Sequence, residues 1–157
     1  MVPARSDRGL SADAQIELMG LDYPNLAVLH ATPWSILWRG ILTPYAQPYV
    51  VQLHYCAFSL QLAAIKSKTV HVEVLSPLLR RRAGAAGPEI PHIYPNPTDK
   101  TLPRLCLHMQ HEWNPSMSIA DTIVPWTVEW LAAYEGWRAT GLWSAGGHNS
   151  ERHVANL

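Results

Sequence analysis

The sequence has no charge of either sign to spare: Lys and Arg total 12, Asp and Glu total 12, and the formal net charge is zero. A chain without a positive field has no long-range pull toward nucleic acid or anionic lipid, so neither is expected as a partner. Cysteine is scarce, at two residues, and the opening Met-Val-Pro-Ala-Arg-Ser-Asp lacks the apolar stretch of a signal peptide. Both features fit a reducing cytoplasm better than a disulfide scaffold. Long hydrophobic runs are missing too. The most apolar long window, residues 49–65, is interrupted by Gln52, His54 and Gln61 and is too short and polar for a membrane span. No Gly-rich nucleotide loop is present, so the chain is not expected to activate a carboxylate itself by that route.

What remains is a globular composition. Of 157 residues, 48% are apolar and 15% charged, which predicts one domain over 1–157 with residues 1–10 and 149–157 flexible. A chain of this length buries roughly 70% of the surface its unfolded form exposes, enough for a core without staples. The unusual counts are 13 prolines and seven tryptophans. Pro88, Pro91, Pro95, Pro97 and Pro103 fall in one stretch that cannot be helical, because proline removes a backbone donor and clashes with the preceding turn. It reads as a long irregular loop with extended pieces, and loops of that length tend to be functional. Arg80, Arg81 and Arg82, at its start, read as a solvated run.

Periodicity places the elements. Residues 11–19 suit a short helix. Residues 35–42, 49–56 and 69–75 read as strands; in the last, Val70, Val72 and Val74 lie on one face, opposite His71 and Glu73. Short connections between them predict an antiparallel meander. After the proline stretch comes Leu105-Cys106-Leu107, and then a helix. Asn114 is a good N-cap and Pro115 suits the first helical position. Ser118 and Asp121 offer a second cap one turn later. Ile119, Ile123, Trp126, Trp130, Tyr134 and Trp137 recur at steps of three or four, with a kink or break expected near Thr122 from Pro125 and a stop at Gly141. The reading is α+β: a small antiparallel meander packed on a long C-terminal helix, with a shorter N-terminal helix.

Several segments resemble a known family. Pro91-His92-Ile93-Tyr94-Pro95-Asn96, then Leu105-Cys106-Leu107, then Trp113-Asn114-Pro115 and Ile119 resemble the active-site stretch of ubiquitin-conjugating enzymes. Ile119 to Trp126, Glu129-Trp130-Leu131, Tyr134-Glu135, Thr140-Gly141, Trp143 and Gly146-Gly147-His148 are similar to the prokaryotic branch of that family. Members of that branch include the stand-alone conjugating enzymes of type II cyclic-oligonucleotide-based antiphage signalling (CBASS) operons. The match runs roughly from residue 34 to residue 148.

The resemblance implies a ubiquitin-conjugating-enzyme-like fold and a transferase that carries a protein C-terminus as a thioester on Cys106. It implies a cyclic-nucleotide synthase as partner, or the C-terminus of a ubiquitin-like protein, and calls for no cofactor. The chemistry suits the residue type, since a thioester is activated toward amines and the protein need only position it and stabilise the oxyanion. The sequence departs from the family's histidine-proline-asparagine element, because Ile93 and Tyr94 follow His92 and Asn96 stands two places late. His92 is expected to hold the loop, with Tyr94 or Asn96 supplying the oxyanion donor. Asp99, Glu112 and Asp121 are all candidates for the base, each with an ordinary structural alternative.

Cys106 is expected at an exposed lip, while Cys56, in an apolar run without a motif, reads as core. His108 and His111 read as exposed residues able to tune the thiol, and with Cys106 and His92 they invite a zinc reading that spacing does not support. The tryptophans at helical spacing read as core. Trp143, beyond the helix, and His108 are the candidates for partner contact. Two competing readings remain: a conjugating-enzyme-like binding module without thioester chemistry, and a cysteine hydrolase lacking an identifiable histidine–acid pair.

Overall fold

The computed structural model describes residues 9–56, 70–83, 89–109 and 111–144. In chain order the elements are α1 (Ala12–Asp22), β1 (Ala27–Thr32), β2 (Ser35–Leu42), β3 (Tyr49–Cys56), β4 (Val70–Ser76), β5 (Ile93–Tyr94), β6 (Arg104–Leu105) and α2 (Ile123–Thr140). The strands form one antiparallel sheet in the order β1-β2-β3-β4-β6-β5. The α+β meander and the two helices are therefore as expected. Among the described residues no helix is long and apolar enough to cross a membrane.

Alternation along β3 sets the two faces of the sheet. Tyr49, Val51, Leu53 and Tyr55 are buried, with Ile36 and Trp38 of β2 and Val70, Val72 and Val74 of β4 beside them. Ile123, Val124, Trp130, Leu131, Tyr134 and Trp137 of α2 complete the same core. Each aliphatic side chain buried to this extent contributes about 1.5–3 kcal/mol. Cys56 falls on the other parity and is only half-buried, so it points away from the core that the sequence suggested for it.

Three elements differ from expectation. β1 has no alternation to betray it, because it is the edge strand and its six residues run exposed until the last. β5 and β6 are two-residue strands flanking prolines 95, 97 and 103, with Pro95 ending the first and Pro103 standing just ahead of the second.

The third difference is the start of α2. Local cap chemistry favours Asn114 and Pro115, yet the helix begins at Ile123. Asn114 instead closes a turn onto the Ser116 N–H at 2.9 Å. The carbonyls that a helix would need are already taken by the N-terminal segment. Leu10 N–H donates to the Pro115 carbonyl at 2.7 Å, and Gln15 Nε2 donates to the Met117 carbonyl at 2.9 Å. Pro125 then sits in the first turn of α2, where no intrahelical donor is lost, so the expected break at Thr122 is the start of the helix rather than a kink inside it. Gly141 ends it in the left-handed conformation, φ 81°, with its N–H on the Trp137 carbonyl at 2.8 Å.

Arg80 and Arg81 are exposed, as expected of a solvated run, while the run is anchored to α2 through the Arg80 backbone and the Arg82 side chain. Arg80 N–H donates to the Tyr134 hydroxyl at 2.8 Å, and Arg82 Nε donates to the Arg138 carbonyl at 3.3 Å. Gly146, Gly147 and His148, like residues 149–157 and 1–8, lie outside the described residues.

Candidate active site

Cys106 is placed by the register of two very short strands. β5 and β6 pair Ile93 with Leu105 and Tyr94 with Arg104. One step further the Cys106 N–H donates to the His92 carbonyl at 2.9 Å. That carbonyl also accepts from Trp130 Nε1 at 2.9 Å, which moors the turn to α2. His92 itself holds φ 53°, a left-handed conformation that non-glycine residues adopt only when surroundings enforce it. The two bonds on its carbonyl and the His92–Trp143 ring contact at 4.8 Å provide that enforcement.

In this register Tyr94 is the diagonal neighbour of Cys106, a separation that an aromatic side chain can bridge. Its hydroxyl lies 2.9 Å from Cys106 Sγ. The cysteine is 3% exposed and Tyr94 37% exposed, so the phenol covers the thiol from the solvent side. The exposed lip expected from sequence is thus absent: flanking leucines bury the backbone and Tyr94 caps the sulfur. Burial, then the adjacent thiol, pushes the Tyr94 phenol well above its ordinary value. Tyr94 therefore stays neutral through the alkaline range and keeps a proton to donate.

The structure brings together Cys106, His92 and Tyr94. Asn96 is engaged elsewhere: its Nδ2 donates to Glu73 Oε1 and to the Leu102 carbonyl, both at 2.9 Å, and its Oδ1 accepts from Thr98 N–H at 3.0 Å. Both amide hydrogens are thereby spent on shaping residues 96–103 and tying that loop to β4. Asp99 is used similarly, closing a turn onto the Thr101 N–H at 2.8 Å, and Glu112 accepts from the Met109 N–H at 2.6 Å.

His108 is buried, not exposed. Its Nδ1 is 2.7 Å from the Met109 carbonyl, which can only accept, so Nδ1 carries the proton. The ring lies 6.4 Å from that of Trp113 and 5.7 Å from that of Trp126. His111 is exposed as expected. Trp143 is half-buried, packed on His92 and on Trp130 at 5.2 Å. Among the described residues no three His, Cys, Asp or Glu side chains gather as metal ligands.

Sequence reasoning missed Glu73. A carboxylate opposite the valines of β4 reads as solvent-facing, yet Glu73 is 8% exposed because the 96–103 loop folds over it. It stands in a polar row crossing five strands, Arg39–Gln52–Glu73–Arg104–Tyr94, that ends at the residue covering the thiol. Arg39 Nη2 donates to Gln52 Oε1 at 2.8 Å, and Gln52 Nε2 approaches Glu73 Oε2 at 3.4 Å. Burial raises the Glu73 carboxyl, with Arg104, Asn96 and Gln52 pulling it back.

Beside that row His54 and His71 meet edge to face at 5.0 Å. Burial, reinforced by the Arg104 charge, pushes His71 down to about 3 and also lowers His54. The 4.0 Å approach of His71 Nε2 to Glu73 is therefore no ion pair at neutral pH. As pH falls below 6.5 the unfolded chain takes up a proton that native His71 refuses, so the stability present above 6.5 is lost toward pH 3. Glu73, whose carboxyl burial raises, acts in the opposite sense. Urea unfolding at successive pH values is expected to show a loss of about 1–2 kcal/mol between pH 6.5 and 5. His71→Gln should flatten that slope, and an unchanged slope would remove His71 as its source.

Compared with known proteins, the chain matches a family model described as type II CBASS E2 protein over residues 15–151. No curated protein matches it.

Proposed function

The chain belongs to the type II CBASS E2 family, and on that premise we propose that it carries the C-terminus of a partner protein as a thioester on Cys106, in antiphage defence. The observation that carries this reading is the 2.9 Å contact between Cys106 Sγ and a phenol that keeps its proton. In the resting state the thiol donates to the Tyr94 oxygen. Once the sulfur is a thiolate, the same hydroxyl turns round and donates to it.

The reaction begins when the Tyr94 ring swings outward and uncovers the sulfur. The thiolate attacks the activated carbonyl carbon, the S–C bond forms, and the bond to the delivering group breaks. That group leaves with the electron pair, and the thiol's proton passes to it or to solvent. The tetrahedral intermediate between these steps bears an oxyanion, and the Tyr94 hydroxyl, lifted off the sulfur but kept at the rim of the site, is the donor assigned to it. Transfer to an amine repeats the sequence with the thiolate as leaving group. The partner is a protein of the same operon, with the cyclic-nucleotide synthase first among candidates and a ubiquitin-like protein second.

A second reading draws on the burial of Cys106: the closed thiol also suits a binding module that regulates its partner without thioester chemistry. Co-expression with the operon neighbours, followed by a non-reducing gel and intact mass, separates the two. An adduct released by thiol and mapped to the Cys106 peptide supports carriage. Co-purification without any covalent adduct supports the module.

Tyr94 variants supply a finer expectation. Tyr94→Phe removes one oxyanion donor and should slow adduct formation by roughly 10²-fold. Tyr94→Ala should slow it as well while speeding alkylation of Cys106 by iodoacetamide, because the cover is gone. If both reactions slow together, the ring has a structural role only.

A further inference from the structure

We infer that Trp130 is a positioning residue for the chemistry of Cys106: its indole N–H fixes the His92 turn that keeps Tyr94 within reach of the sulfur. The inference rests on the thioester reading above. It names a residue that acts through backbone geometry rather than on the reacting atoms.

The hairpin that carries the thiol cannot hold its own register. β5 and β6 are two residues each, and an isolated pair of strands that short is marginal in water. Pro95 follows β5 and has no donor with which to extend the ladder. The pairing therefore depends on anchors outside it. On the β6 side, Arg104 pairs with Glu73 of β4. On the β5 side the anchor is the His92 carbonyl, which accepts from Cys106 N–H and from Trp130 Nε1, both at 2.9 Å. A carbonyl oxygen has two lone pairs, and here each has its donor.

Where the Trp130 bond acts gives it leverage. Among the described residues His92 is the one non-glycine at positive φ, 53°. A backbone in that region returns to the ordinary one unless its surroundings hold it. Rotation there would turn the carbonyl away from Cys106 N–H and carry β5 with it. Tyr94, two residues on, would then lose its 2.9 Å contact with Sγ. With the backbone held, the Tyr94 ring can swing about its own side-chain bonds and leave its hydroxyl near the oxyanion. Without the indole N–H the strand itself shifts.

Trp130 is in turn held firmly. It is buried, stacks on Tyr134 at 5.5 Å and 13° between planes, and meets Trp143 edge to face at 5.2 Å. The Tyr134 hydroxyl accepts from Arg80 N–H at 2.8 Å and donates to the Arg80 carbonyl at 3.2 Å. Residues 130 and 134 are neighbours on one ridge of α2, so that ridge grips the chain both at Arg80, after β4, and at His92, before β5. A site held from a packed helix is positioned more tightly than one held by a loop.

The test replaces Trp130 by 3-benzothienylalanine, which keeps the bicyclic shape and puts sulfur where the N–H was, and separately makes Trp130→Phe. Trp137→Phe is the control for packing, because Trp137 is another buried tryptophan of α2 and the bond to His92 belongs to Trp130. Two rates are read: adduct formation with the operon neighbours, and alkylation of the Cys106 peptide by iodoacetamide. Each change at 130 is expected to slow adduct formation by about tenfold or more. Each should also speed alkylation by about tenfold, as a local opening that dilute urea does not steepen. Trp137→Phe should leave both rates within about twofold of wild type.

Wild-type rates in the benzothienylalanine protein overturn the proposal, because only the donor has been removed. Equal effects from Trp137→Phe, or alkylation that climbs with urea, overturn it too, since both mean a general loss of packing. Where wild type forms the adduct, a change in one rate without the other also overturns it. Absence of any thiol-labile adduct in wild type sinks the carriage reading instead. The alkylation rates then decide by themselves whether the indole N–H sets Tyr94 over the thiol.

Discussion

Cys106→Ala is expected to abolish the covalent adduct, and Cys106→Ser to replace a thiol-labile adduct by one that only hydroxylamine releases. The two variants differ in what they leave behind. Alanine removes the nucleophile, and with it all covalent carriage, a loss of at least about two orders of magnitude in adduct yield. Serine keeps a nucleophile but a much poorer one, and an oxyester on its oxygen is less activated than a thioester, so acyl groups that do arrive are not passed on.

Neither change should unfold the chain. The cysteine is buried, and trimming it to alanine costs on the order of 1–2 kcal/mol, similar to loss of a buried methyl or two. The serine hydroxyl inherits the Tyr94 hydroxyl as a hydrogen-bond partner and is not left unsatisfied. Intact mass and non-reducing gels read the result, with circular dichroism as the folding control. Persistence of the same thiol-labile species in Cys106→Ala would sink the assignment of the nucleophile.

The largest expected effect on stability comes from a residue remote from the thiol. Gln15, on α1, is 0% exposed and holds the segment ahead of α2 with both ends of its amide. Nε2 donates to the Met117 carbonyl and Oε1 accepts from the Ile119 N–H, each at 2.9 Å. Gln15→Leu is close to the same size and more apolar, yet it strands one backbone donor and one acceptor in the interior. Each stranded group costs about 1–3 kcal/mol, and the variant is expected to lose roughly 2–4 kcal/mol in urea unfolding. Gln15→Glu keeps the acceptor but turns a carboxylate toward a carbonyl, so it should not recover the loss. A change below about 1 kcal/mol would mean that water replaces the amide and that the bridge is dispensable.

Much of the frame was legible because it is local. β2 and β3 have the predicted bounds, since alternation and turn residues say which parity is buried without reference to the partner strand. Gly141 could be read as the stop because its left-handed conformation is a property of the residue itself. The failures share a cause. Asn114 and Pro115 are sound cap chemistry, yet the carbonyls of Pro115 and Met117 belong to Leu10 and Gln15, the latter 102 residues away. β1 carries no periodic signal because an edge strand in solvent has no face to hide.

The candidate site divides along the same line. Sequence by itself determined that Cys106 stands in a conjugating-enzyme-like setting, because a nucleophile, its flanking leucines and the tryptophan and proline after it are features of adjacent residues. It also offered His92 as the residue that holds the loop and Tyr94 or Asn96 as the oxyanion donor, without a choice between those two. The tertiary structure decided that the thiol is closed, that Tyr94 closes it, and that Asn96 and Glu73 are bonded to each other. Those outcomes depend on register: pairing Tyr94 with Arg104 makes Tyr94 diagonal to Cys106, and pairing Arg104 with Glu73 brings the 96–103 loop over β4. Register is a relation between segments far apart in the chain, and a shift of one residue would reverse every side chain named here.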